Sequence, residues 1–170
     1  MEINQIEDIV DQYGDMVYRI ALFHTGNNRE DANDIFQDVF LTLIKKRMYF
    51  NSSEHCKAWL IRVTINLCKK NYSQKKEILL GDEEIERTIS KNSTYKMSVE
   101  SEDLYEAICK LPPKYKTIII LFYFENMTCK EISRCIGIKE VSVRKRLSRA
   151  RGELRMYMEE GRKRNEQGEY

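Results

Sequence analysis

A chain of 170 residues with 42% hydrophobic and 33% charged residues is too apolar to be disordered as a whole. Its 7 Gly and 2 Pro are too few turn residues for an all-β fold, and its net charge is only +2. Residues 3–25 read as one amphipathic helix, with Ile6, Ile9, Val10, Tyr13, Val17, Ile20 and Ala21 at helical spacing. Gly26-Asn27-Asn28 breaks it. Residues 30–48 form a second helix, whose apolar sector is Ile35, Phe36, Val39, Phe40, Leu43 and Ile44. Residues 49–55 read as a loop and residues 56–72 as a third helix.

From 73 to 101 the pattern fades into a polar, acidic linker with room for a short helix at 82–89. Periodicity returns at 102–110, and Leu111-Pro112-Pro113 then punctuates the chain. Residues 114–125 are apolar nearly all round, as a helix buried in a core would be. The expected fold is all-α: two small helical domains, 1–72 and 102–158, joined by a flexible linker at 73–101. The second domain carries a helix-turn-helix, and the tail 159–170 is expected to fray.

No run approaches the roughly 18 apolar residues of a membrane span. Met1 to Asp11 is acidic and lacks an apolar stretch, so a cytoplasmic protein without a secretory signal and without membrane insertion is expected. The cysteines are Cys56, Cys68, Cys109, Cys129 and Cys135, an odd set that argues against a disulfide framework. No CxxC pair occurs, and neither His24 nor His55 begins a zinc pattern, so neither metal nor other cofactor is expected.

The small net charge hides strong segregation. Residues 1–44 carry net −7, residues 45–76 net +8, residues 77–110 net −5, residues 111–138 net +2 and residues 139–170 net +4. Two basic blocks around an acidic one suit two modules that each meet a polyanion.

The strongest motif lies at 128–155. Thr128-Cys129-Lys130-Glu131 has the form of a capping box, and Gly137 stands where a tight turn needs positive φ or close backbone approach. A second helix begins near Glu140, completing a helix-turn-helix. At about 100° per residue, Val143, Leu147, Ala150, Leu154, Tyr157 and Met158 make one apolar stripe. Arg144, Lys145, Ser148, Arg149 and Arg155 make the opposite face. Arg and Lys donate to guanine O6 and N7, Ser adapts to either base, and further cations meet phosphates.

On the third helix, Trp59, Arg62, Asn66, Lys69 and Lys70 share a polar sector. Cations that follow a backbone and an aromatic that stacks on bases suit unpaired nucleic acid. The preceding loop offers Tyr49, Phe50, Asn51, Ser52 and Ser53 as a pocket for an extruded base. A lone Trp at the start of an amphipathic helix has a competing reading as a core anchor. On the second helix, Asp34, Gln37, Asp38 and Leu41 share a face, and an exposed Leu among carboxylates makes a protein-docking patch.

These three features in this order resemble bacterial RNA polymerase sigma factors of the extracytoplasmic-function group. The resemblance rests on Asp31 to Phe40, on Lys57 to Asn66, and on Leu111 to Tyr123 followed by Thr128 to Leu154. It implies that Asp34, Gln37, Asp38 and Leu41 dock on the β′ clamp of core RNA polymerase, with the β subunit as a further contact. It implies that Asn51, Ser52 and Ser53 capture a flipped minus-ten base, while Trp59, Arg62, Asn66, Lys69 and Lys70 hold the melting strand or nearby duplex. Arg144, Lys145, Ser148 and Arg149 would then enter the minus-thirty-five major groove. Promoter DNA, duplex and melted, and an anti-sigma factor are the further partners implied.

Lys139-Glu140-Val141 stands where many relatives carry a Pro-x-Gly turn, and Lys145 where many carry Ser. The acidic linker would thread toward the RNA exit path. The expected function is promoter-specific initiation without catalysis. The rival is a stand-alone helix-turn-helix regulator, which gives no use to the acidic and basic helices of the first half. A DNA-processing enzyme lacks a nucleophile among clustered arginines.

Overall fold

The computed structural model describes residues 3–79 and 102–168, which form two compact units. Residues 80–101, with the helix expected at 82–89 and most of the linker, lie outside the described residues, as does the extreme C-terminus.

The first unit is three helices: α1 (Ile3–His24), α2 (Arg29–Lys46) and α3 (Ser53–Leu79). Each packs on the other two. The periodic apolar residues of α1 turn inward, so that Val17, Ile20, Ala21 and Phe23 are fully enclosed. Ala32, Ile35, Val39 and Leu43 from α2 and Leu60, Ile61, Ile65 and Cys68 from α3 complete the core. Each such aliphatic side chain contributes about 1.5–3 kcal/mol by leaving water. Asn28 caps α2, its side chain accepting the Asp31 N–H at 3.1 Å. Arg47 adopts the left-handed conformation (φ 46°) that ends α2.

α3 starts earlier and ends later than its apolar pattern predicts. Ser52 caps it: the hydroxyl accepts the His55 N–H at 3.1 Å, and the His55 ring nitrogen Nδ1 accepts the Asn51 N–H at 3.4 Å. The Tyr13 hydroxyl donates to the Ser53 carbonyl at 3.1 Å and ties this start to α1. Residues 73–79, expected in the linker, continue the helix, and Lys75 forms an ion pair with Asp31 at the start of α2. Ile44, expected on the apolar sector of α2, is 48% exposed.

The second unit comprises α4 (Glu102–Lys110), α5 (Pro113–Ile119), a π-helical turn (Ile120–Phe124), α6 (Cys129–Ile136) and α7 (Glu140–Gln167). Pro113 sits where a first helical turn tolerates a residue without an N–H. The continuous helix expected at 114–125 widens instead, with the Glu125 N–H reaching back to the Ile120 carbonyl at 3.2 Å. Ile118, Ile119, Ile120 and Leu121 are all buried against α7 and its neighbours. α7 runs to Gln167, so residues 159–167 are helical where fraying is expected. Among the described residues no helix is long and apolar enough to cross a membrane.

Candidate nucleic-acid and polymerase interfaces

The helix-turn-helix follows from three local bonds. Thr128 Oγ1 accepts the Glu131 N–H at 3.2 Å, and Glu131 Oε2 accepts the Thr128 N–H at 2.7 Å. Both halves of the capping box are therefore closed. Gly137 then takes φ +72°, and nothing lies within 4 Å of where a Cβ would stand. Backbone conformation is thus the reason for glycine there. The Ser133 hydroxyl donates to the Ile138 carbonyl at 2.6 Å and closes the turn.

α7 presents the two faces its spacing predicts. Val143, Leu147 and Ala150 are buried, with Leu154, Tyr157 and Met158 half-buried along the same stripe. Arg144, Lys145, Ser148, Arg149 and Arg155 are exposed. The Arg144 guanidinium donates to Glu140 Oε1 at 2.6 Å. That hydrogen bond, and then the carboxylate's charge, holds Arg144 still more firmly protonated than an ordinary arginine. Arg151 is held apart from this set. Its Nε donates to the Tyr123 hydroxyl at 2.6 Å, and its guanidinium lies 5.5 Å from the centres of the Phe122 and Tyr123 rings.

On α3, Arg62, Asn66, Lys69 and Lys70 are all exposed, giving one cationic face. Trp59 is not part of it. The ring is only 8% exposed and packs against Phe50, 5.8 Å away, which in turn meets His55 edge-on. The loop folds Phe50 over Trp59, so in this structure the indole packs as a core anchor rather than lying on the cationic face. Among the described residues of this unit the exposed rings are instead Tyr49, 77% exposed in the loop, and Tyr72 on α3. Tyr49 is among the loop residues the sequence offers as a base pocket, and of that set Phe50 is turned inward onto Trp59 instead.

Asn51, Ser52 and Ser53 are exposed, but Ser52 spends its hydroxyl on the α3 cap. The Ser-Ser-Glu-His run is the signal that could have marked this helix start. Glu54 follows in the first turn, its carboxyl held below the usual range by its own backbone N–H and by Ser52. On α2, Asp34, Gln37, Asp38 and Leu41 are exposed on one face, and Ile44 extends it by one turn.

Residues 9–78 match the family model of sigma-70 region 2, and residues 101–154 match that of sigma-70 region 4. RNA polymerase sigma factor SigV of Bacillus subtilis (strain 168) is 36% identical over 138 residues, covering 78% of each chain. The chain belongs to the extracytoplasmic-function group of the sigma-70 family.

The ECF RNA polymerase sigma factor SigW of the same organism is 28% identical over 162 residues, or 87% of this chain and 86% of that one. The ECF sigma factor SigE of Mycolicibacterium smegmatis is 28% identical over 158 residues, or 89% of this chain, which spans 61% of that relative's length. Among solved structures, the sigma factor RpoE from Bartonella quintana, crystallised with the anti-sigma factor NepR, superposes with TM-score 0.72. It is 19% identical, covering 92% of this chain and 98% of that one, so it shares the fold. Sigma factors bind core RNA polymerase and promoter DNA and direct promoter-specific initiation without chemistry of their own. Within that family the basic face of α7 falls in region 4, and the acidic face of α2 and basic face of α3 fall in region 2. A stand-alone regulator is not favoured.

Proposed function

We propose that this sigma factor reads its promoter with two faces and holds the polymerase with a third. The observation that carries the reading is the division of α7: Arg144, Lys145, Ser148 and Arg149 exposed, directly behind a Gly137 turn, and Val143, Leu147 and Ala150 buried. Such a helix enters the minus-thirty-five major groove. Arg62, Asn66, Lys69 and Lys70 hold the melting minus-ten strand, and Asn51, Ser52 and Ser53 at the start of α3 take an unpaired base. The exposed ring of Tyr49 takes the stacking role in place of buried Trp59. Extrusion costs a few kcal/mol, which base capture and stacking offset without fuel.

Asp34, Gln37 and Asp38, with Leu41 and Ile44 among them, dock on a basic surface of the polymerase β′ subunit. The protein works inside the cell, has no catalytic step, and is held in check by an anti-sigma factor. The neighbour solved with NepR supports that last partner.

In vitro transcription tests the reading. The chain is added to sigma-free bacterial core polymerase on promoter fragments from its own genome. Discrete transcripts are expected, lost in the Arg144→Ala/Arg149→Ala double variant and in Asp38→Ala. Binding of duplex DNA with no binding of polymerase would overturn it.

A further inference from the structure

We propose that Val141 is a specificity-determining residue that reads the C5-methyl group of a thymine in the upstream promoter element. The inference rests on the minus-thirty-five role of α7 given above. Val141 is the second residue of α7 and is 61% exposed. At 100° per residue it points about 160° away from buried Val143, the middle of the Arg144–Lys145–Ser148–Arg149 face. Arg144, Lys145 and Ser148 follow it by three, four and seven positions, which places all four on one strip of the helix surface. The first turn of a recognition helix is the part whose side chains meet base edges.

Nothing in the fold requires a branched apolar residue there. It touches no core, and valine is a weak helix former at an exposed site. The next exposed large apolar side chain on α7, Met156, lies 15 residues further on, about 22 Å along the axis. Val141 is thus an isolated apolar group in a polar, cationic reading face.

The chemistry of the groove gives that group a use. Arg and Lys recognise acceptors, and thymine O4 is an acceptor as guanine O6 is. The feature that sets thymine apart is its methyl group, which is read by apolar contact. The Arg144 guanidinium is bonded to Glu140, and Val141 remains 61% exposed on the same first turn and a half of the helix.

The test uses the complex of the full chain with core polymerase, on the fragment giving the strongest transcript. Each thymine of the upstream element is replaced in turn by deoxyuridine, which removes the methyl group and nothing else. At one position the wild-type complex is expected to bind about three- to fourfold more weakly, one methyl group's worth of burial. Val141→Ser is expected to bind the thymine and deoxyuridine duplexes equally, while Arg149→Ala, though weaker throughout, keeps the discrimination. Circular dichroism checks that Val141→Ser is folded. The inference is overturned if no position responds, or if Val141→Ser responds as the wild type does. Either result leaves transcription from the unmodified fragment intact. Absence of that transcript instead removes the promoter reading and this inference with it.

Discussion

Arg151 and Tyr123 are 28 residues apart in sequence, yet the guanidinium donates to the phenol oxygen at 2.6 Å. The widened π-helical turn presents Tyr123 and Phe122 to α7, and Arg151 sits over both rings. This arginine stands on a basic helix but is engaged within its own unit.

It should therefore behave differently from its neighbours. Replacing Arg149 by Ala is expected to lower the salt dependence of DNA binding by about one unit of slope, as loss of one phosphate contact does. Replacing Arg151 by Met should leave the slope unchanged and lower stability. A double-mutant cycle with Tyr123→Phe should give a coupling of about 0.5–1.5 kcal/mol in denaturant melts.

The turn between α6 and α7 is fixed by chemistry that substitutions can remove singly. Thr128→Ala, which opens the capping box, should cost about 1 kcal/mol. Gly137→Ala should cost about 1–2 kcal/mol, all of it conformational, because a Cβ there meets no atom. Gly137→Asn should cost less, since Asn tolerates positive φ. Thermal melts of the three variants check the order.

α7 begins without a side-chain cap, because Lys139 occupies the N-cap position. Lys139→Ser should raise stability by about 1 kcal/mol, or roughly 4–8 °C in the melting temperature of a unit this size. The same change removes a cation beside the reading face, so DNA affinity should fall as stability rises. Calorimetry and a binding titration on one sample separate the two effects.

Cys56 lies in the core beneath the start of α3, and burial pushes its thiol up from 9.0 to about 11. The folded state favours the protonated form, so this contribution to stability is complete below about pH 9. It is lost as pH rises through about 11. Stability measured from pH 8 to 11 should fall across that window and fall less in Cys56→Ala. At pH 8 a disulfide reagent should label Cys56 far more slowly in the folded than in the urea-unfolded chain.

Features set by neighbouring residues were legible in the sequence. The Thr128–Glu131 box, the Gly137 turn and the two faces of α7 each need only contacts within a few positions. Features set by distant contacts were not. Trp59 shares an angular sector with Arg62 and Lys69, but the path of the loop lays Phe50 across it. α3 runs on to Leu79 through Ser, Gln and Lys residues that carry no apolar period, with Lys75 anchored on Asp31. The π-helical turn arises in a run so uniformly apolar that no spacing distinguishes it from an α-helix. The cap that Ser52 makes was not legible because the apolar pattern places the start of α3 at residue 56, three residues after its true start at Ser53.

The 28 residues of α7 form one unbroken rod about 42 Å long. Its buried residues end at Ala150, and Arg162 to Gln167 are exposed on every side. A fluorophore at Lys163 would sit about 20 Å down the axis from Ala150 while remaining rigidly coupled to the reading end. The helix is thus its own pointer: a probe on its far end would report the direction in which its near end enters the groove.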